Sequence, residues 1–191
     1  MNLSATTLRG RFVQLEPVET HHRTEMAEPA ADSRIWENTP LGPSFDHYFD
    51  TLLKLRADGR QIPFAVRWIH TNTIIGGSRL MDIVPEHHRL EIGGTWYHPH
   101  YWGGPANAES KLLLLTHAFE HAGAFRVQLL TDQRNAHSQA AIAKLGARRE
   151  GVVRSHMLVA GGRRRDSVMF SIVEQEWPTV KAGLEERLRT D

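Results

Sequence analysis

The sequence predicts one mixed α/β domain over residues 1–191, and three observations carry that prediction. Strand-like runs at residues 62–69, 73–84 and 89–97, parted by the turn-like pairs Thr71-Asn72 and Pro85-Glu86, read as an antiparallel meander. After them strand-like and helix-like segments alternate, an order that needs a crossover and so a partly parallel sheet. The chain has 191 residues, 40% hydrophobic and 24% charged, which suits one ordinary globular unit, and no repeat, low-complexity segment or linker divides it.

In chain order, residues 11–16 form a short strand-like run closed by Pro17, and the polar residues 19–28 suit an exposed helix. A loop containing Pro and Gly, residues 36–43, leads to an amphipathic helix at 44–57 that Ser44 starts and that ends near Gly59. The meander follows, and then a long helix. In it Leu112, Leu115, Phe119 and Ala122 share one apolar face, while Glu109, Lys111 and Glu120 are left to face solvent. Residues 125–130 read as a buried strand and 135–145 as a short helix closed by Gly146. Residues 152–159 and 167–173 read as strands joined by a hairpin around Gly161-Gly162. A helix at 177–188, with Pro178 in its first turn, closes the chain.

Lys and Arg number 23 against 22 Asp and Glu, so the net charge is +1 and no whole-molecule field favours nucleic acid or an anionic membrane. Any anion site has to be local. With no cysteine there is no disulfide, no thiolate metal site and no cysteine nucleophile, which excludes a covalent thioester mechanism. The N-terminus lacks the apolar core of a signal peptide and no apolar run approaches membrane-spanning length, so the expected location is cytoplasmic. The twelve histidines include His87-His88 and His98-Pro99-His100. Adjacent strand residues point to opposite faces, and the second pair has no carboxylate within a few residues, so no metal site is expected.

Residues 97–120 join a glycine-containing loop to the long helix, and this junction reads as an anion site. Gly103-Gly104 lets backbone approach a ligand that a Cβ would hold away, Asn107 suits an N-cap, and the free N–H groups of a helix start favour phosphate.

The order of elements resembles the GNAT acetyltransferase superfamily, and within it the ribosomal-protein N-terminal acetyltransferase branch. The residues that carry the resemblance are the Gly103-Gly104 loop, the turn Asn135-Ala136-His137-Ser138, the run Leu145-Gly146-Ala147 followed by Glu150-Gly151, and Arg165-Asp166 near the final strand. It covers residues 7–177. The resemblance implies a mostly antiparallel sheet of about seven strands, flanked by helices and splayed between its fourth and fifth strands, here 89–97 and 125–131. The pantetheine arm of acetyl-CoA would lie in that gap against the backbone of Thr95, Trp96 and Tyr97, as an added strand does. The pyrophosphate would sit on Gly103, Gly104, Ala106, Asn107 and Ala108. The family's motif is Gln or Arg, two residues, Gly, one residue, then Gly or Ala. This chain has Trp102, Gly103, Gly104, Pro105, Ala106 and Asn107, and Pro105 has no N–H to offer a phosphate.

Asn135 is implied as a hydrogen-bond partner of the pantetheine arm, and it equally suits capping the helix that follows. The Ser138 hydroxyl can meet the coenzyme sulfur as the thiolate leaves, or be an ordinary first-turn serine. Many relatives place a tyrosine acid four residues before the glycine seen here as Gly146, but Ile142 stands there. Glu91, at the start of the splayed strand, is a candidate base acting through water; the competing reading is a solvated or ion-paired carboxylate. His156 lies close to where the ribosomal-protein branch has a carboxylate base, and an imidazole pKa of about 6.5 suits proton transfer, though strand histidines are commonly inert. An α-amine with a pKa of about 7.7–8.0 is roughly a tenth neutral at pH 7, so it needs only a weak base.

These features imply an acetyl-CoA-dependent N-acetyltransferase in which a bound primary amine, such as a protein N-terminal α-amine, attacks the thioester directly. The carbonyl would be polarised by a backbone N–H near Trp96. Aminoglycosides or polyamines are alternative acceptors, and the altered glycine motif also fits an inactive acyl-CoA-binding module. Arg163-Arg164-Arg165 reads as a solvated hairpin tip rather than a nucleic-acid patch, and Trp36, Tyr101 and Trp102 either line the acceptor side or pack in the core. The family often pairs through its later strands, which leaves a homodimer open.

Overall fold

A computed structural model of the chain describes residues 1–36, 44–159 and 162–190. Its strands are β1 (Leu8–Arg9), β2 (Val13–Pro17), β3 (Ile62–Trp68), β4 (Thr73–Val84), β5 (Arg89–Tyr97), β6 (Arg126–Asp132), β7 (Arg148–Val159) and β8 (Arg163–Val173). They form one sheet in the order β1-β2-β3-β4-β5-β6-β8-β7, antiparallel at every step but β5–β6. The helices are α1 (His22–Ala30), α2 (Phe45–Ala57), α3 (Pro105–Thr116), α4 (Ala136–Ala143) and α5 (Trp177–Thr190), with α3 running on through a π turn at His117–His121.

The expected meander is β3-β4-β5, and the expected crossover is α3, which carries the chain from β5 to its parallel neighbour β6. The eighth strand is β1, whose two residues are too few to leave a periodic signal. Most of the loop at residues 36–43, and Gly161 of the hairpin, lie outside the described residues. Val159 still pairs with Arg163, and Gly162 has a φ of +73°, so β7 and β8 are joined as a hairpin. Local chemistry accounts for several boundaries. Ser44 Oγ accepts the His47 N–H at 3.2 Å to start α2, and Asn135 Oδ1 accepts the Ser138 N–H at 2.9 Å to start α4.

The sheet buries both faces. One packs Leu80, Leu90, Ile92 and Phe170 against α3 and α5 through Leu115 and Leu184. The other packs Ala65, Ile74 and Trp96 against α1 and α2 through Met26, Phe49 and Leu52. α1 lies over β4 and α2 over β3, so this second helical layer sits on the first half of the sheet.

Two expectations for α3 are corrected. Glu109 and Lys111 do not face solvent; they are 5% and 4% exposed. Apolar periodicity marks one stripe, but a polar side chain can lie inside when its hydrogen bonds are met there. The Glu109 carboxylate accepts the backbone N–H groups of Arg11 at 2.8 Å, Phe12 at 2.7 Å and Val13 at 2.7 Å. It thereby stitches the helix to the turn between β1 and β2. The carboxylate lies so close to that turn that a Cβ on Gly10 would stand 2.4 Å from Glu109 Cδ. Glu109→Ala strands these donors and should lower stability by about 3 kcal/mol, read by urea unfolding. Gly10→Ala should destabilise in the Glu109 background and much less once Glu109 is alanine, and equal costs in both backgrounds would contradict the contact.

Candidate active site

β5 and β6 pair at Arg89–Arg126, Leu90–Val127 and Glu91–Gln128, and then stop, although β5 runs on to Tyr97 and β6 to Asp132. The parting coincides with a bulge. The register between β4 and β5 shifts between Gly77 and Arg79, and Gly94 takes a φ of +55° that glycine adopts without strain. A Cβ on Gly94 would lie 2.1 Å from Arg79 Nε, so the guanidinium lies directly over the bulge.

Past the bulge, backbone groups alternate between β4 and the gap. The His98 N–H donates to the Ile75 carbonyl at 2.8 Å, and the Trp96 carbonyl faces Gly76 so closely that a Cβ there would stand 2.1 Å away. Trp96 therefore spends its backbone groups on β4, and alternation turns those of Thr95 and Tyr97 into the gap. The Tyr97 carbonyl already accepts the Trp102 indole N–H at 2.8 Å, which leaves its N–H to the gap. The Trp96 side chain sits on the opposite face, donating from Nε1 to Tyr48 Oη at 2.9 Å.

At the start of α3 the N-cap is Gly104, not Asn107, because Pro105 takes the first helical position, where a missing N–H costs nothing. The unpaired donors there are Gly104, Ala106 and Asn107, preceded by a turn at Gly103 with a φ of +80°. Ala108 falls one position further, where its N–H closes the first helical hydrogen bond, and it is fully buried. Across the mouth of the gap the Trp102 ring lies 6.2 Å from that of His137, in the first turn of α4. Asn135 caps that helix through Oδ1, so its amide nitrogen keeps two N–H groups for another partner, and half-buried Ser138 sits in the same turn.

Glu91 occupies the last paired position before the strands part. Its carboxylate lies over Gly93, where a Cβ would stand 2.8 Å from Oε1, and Gln128 Nε2 donates to Oε2 at 3.3 Å. Burial raises its pKa and the Asp82 charge adds to that, while Gln128, Arg165 and Arg79 act the other way. His156 stands apart on exposed β7, just after a bulge at Ser155 with a φ of +50° whose N–H donates to Asp166 Oδ1 at 2.7 Å. Its Nδ1 is 3.0 Å from Ser167 Oγ, which also accepts Arg165 Nε at 3.0 Å.

Sequence reasoning missed Lys111. Its Nζ donates to Thr95 Oγ1 at 2.5 Å and Ser78 Oγ at 3.3 Å, and those hydroxyls are 2.8 Å apart, so a buried lysine ties α3 to the strand just past the bulge. Burial lowers its pKa to about 7. A lone lysine on a helix gives no sequence signal for this, because its partners lie on two distant strands.

A family model for the acetyltransferase (GNAT) domain matches residues 13–148. The chain belongs to the GNAT acetyltransferase family. It is 36% identical to a structure described as an acetyltransferase of T. thermophilus, covering 98% of this chain and all of that one, with a TM-score of 0.86. A GCN5-related N-acetyltransferase from Brucella melitensis is 27% identical over 96% of this chain and 85% of that one, also with a TM-score of 0.86. RimJ of Mycobacterium smegmatis, solved in complex with CoA-disulfide, is 22% identical over 97% of this chain and 96% of that one and shares the fold, with a TM-score of 0.83. No curated protein matches the chain. As a GNAT enzyme it is an N-acetyltransferase, and acetyl-CoA is its co-substrate. The parted strands with amides turned into the gap, and a helix start with unpaired N–H groups at its mouth, fit the arm and pyrophosphate of that molecule.

Lys111 gives this GNAT fold a pH signature. With a folded pKa of about 7 against 10.5 for a free lysine, the unfolded chain holds a proton that the folded chain has released between those values. Stability should therefore climb as pH rises from about 7 towards 10. In Lys111→Met that climb should flatten, as read from urea midpoints at several pH values, and an unchanged slope would contradict the assignment.

Proposed function

We propose that the chain acetylates a primary amine by direct transfer in the β5–β6 gap, with Glu91 receiving the amine proton. The observation that carries this reading is the position of Glu91 at the last paired residue before the strands part, held where burial raises its pKa. The pantetheine arm would run along Thr95, Trp96 and Tyr97, with the outward amides of Thr95 and Tyr97 as its partners. Gly103 and Gly104 give it room, Gly104, Ala106 and Asn107 offer N–H groups to the pyrophosphate, and the amide of Asn135 donates from the opposite lip. Ala108 supports that helix start from the core.

In the reaction the amine nitrogen bonds to the acetyl carbon as the carbon–sulfur bond breaks. The electron pair goes to sulfur, and the amine proton goes to Glu91 through a water. The departing thiolate would be stabilised by the Ser138 hydroxyl at the positive end of α4 and take its proton from water, while Glu91 returns the amine proton to solvent. The Thr95 N–H, the outward donor nearer Glu91, would meet the thioester carbonyl at the end of the arm and polarise it. His156 is the alternative base, but two strands, β6 and β8, separate its strand from that of Glu91, and it is held through Ser167. An α-amine acceptor suits this arrangement, since it ionises near neutral pH and needs only a modest base.

Glu91→Gln should lower kcat/KM at neutral pH by about a hundredfold. In the wild type, kcat/KM rises with pH as Glu91 ionises, and burial places that limb above the ordinary carboxylate range. The glutamine variant should lose the limb, while a profile identical to wild type would point to His156 instead. For the coenzyme, Asn107→Asp puts a negative charge beside the pyrophosphate and should weaken acetyl-CoA binding about tenfold by calorimetry, roughly 1.4 kcal/mol. Unchanged affinity would remove the phosphate from this helix start.

A further inference from the structure

Arg165 lies on β8 two residues from Ser167, on the face where the charges of Glu91 and Asp132 reach it. It is only 9% exposed. Its Nε donates to Ser167 Oγ at 3.0 Å, and among the described residues no carboxylate stands within 4.0 Å of its guanidinium. Asp132 is committed elsewhere, to the Arg163 guanidinium and to the Arg134 N–H at 2.9 Å. Its terminal nitrogens have no hydrogen-bond partner among the described residues and are not fully sealed from solvent. A guanidinium drawn this far from water without a counter-ion is costly unless an anion joins it, and its planar fork matches a carboxylate with two hydrogen bonds.

Arg79 repeats the pattern from β4. Its guanidinium lies over Gly94, Nη1 donates to Gln61 Oε1 at 3.2 Å, and Nε is buried without a partner. Both guanidinia act electrostatically on Glu91. The base proposed above thus lies in the field of two cations, neither of which forms a close ion pair with it or with any other described carboxylate.

The geometry points to an acceptor that carries a carboxylate besides its amine, with the amine at Glu91 and the carboxylate on Arg165, Arg79 flanking it. This inference rests on the Glu91 reading. Two sources share the chemistry, an acidic residue close to a peptide N-terminus and a free amino acid with a side-chain carboxylate.

The test is steady-state kinetics with matched acceptors whose carboxyl termini are blocked as amides, the peptides Ser-Glu-Ala-amide and Ser-Gln-Ala-amide and the α-amides of glutamate and glutamine, so that each pair differs only in the side-chain carboxylate. Each runs against wild type, Arg165→Gln and Arg165→Lys. Wild type should favour the carboxylate member of a pair by tenfold or more in kcat/KM, because the side-chain amide leaves a buried cation unpaired. Arg165→Gln should abolish the preference by raising KM for that member while kcat and the calorimetric Kd for acetyl-CoA hold, and Arg165→Lys should restore part of it. A preference confined to the peptides assigns a polypeptide acceptor, and one confined to the amino-acid α-amides assigns a small molecule. No preference in either wild-type pair overturns the inference without touching the transferase reading. An acetyl-CoA affinity that falls in Arg165→Gln by the same factor as the preference overturns it by assigning the arginine to the coenzyme. Absence of turnover with every amine, with acetyl-CoA still bound, instead defeats the Glu91 reading on which it rests.

Discussion

The bulge at Gly93-Gly94 is the constraint on which the rest of the site depends. An extra residue in β5 lets its first half stay paired with β6 while its second half swings away, and glycine takes the φ of +55° without strain and leaves room for the Arg79 side chain pressed against the bulge. Without the bulge, β5 and β6 would continue as an ordinary parallel pair, and the amides of Thr95 and Tyr97 would be used up within the sheet. With it, the sheet keeps an internal edge inside an otherwise continuous structure. An unpaired edge is a liability in most folds; here it is the binding surface for an extended co-substrate arm.

An opening in a sheet has to be held open, and the buried polar residues of α3 do that from one side. From the second turn of the helix, Glu109 reaches the turn between β1 and β2, and Lys111 reaches Thr95 and Ser78. The helix start that would meet a pyrophosphate is thereby tied to the strand that would meet the thioester. Both anchors cost desolvation. Glu109 offsets it with three backbone donors, and Lys111, which has only hydroxyls beside it, responds by losing basicity.

The architecture was largely legible in the sequence because its signals are local. The meander followed from strand runs separated by turn residues, and Ser44 and Asn135 cap helices as their side-chain chemistry implies. The site was legible only in part. Gly103-Gly104 and the helix start are readable, but residue type points to Asn107 as the cap, whereas the fixed φ of Pro105 moves the helix start forward to Gly104. Helical periodicity turns Glu109 and Lys111 to solvent because it weighs polarity and cannot see partners 97 or 33 residues away in the chain. Glu91 could be nominated by its place at the start of a strand. That its carboxylate lies over Gly93, and that Arg165 shares its field, depends on sheet register and on the bulge, neither of which local pattern encodes.

The central claim is that acetyl-CoA occupies the parted strands and pairs with the outward amides of β5. Residue-resolved amide hydrogen exchange, with and without CoA, tests it most directly. Exchange at Thr95 and Tyr97 should slow markedly on binding, while the Trp96 amide, already turned to β4, should change little. CoA binding that leaves Thr95 and Tyr97 exchanging as in the free protein would contradict the account and place the coenzyme elsewhere on the fold.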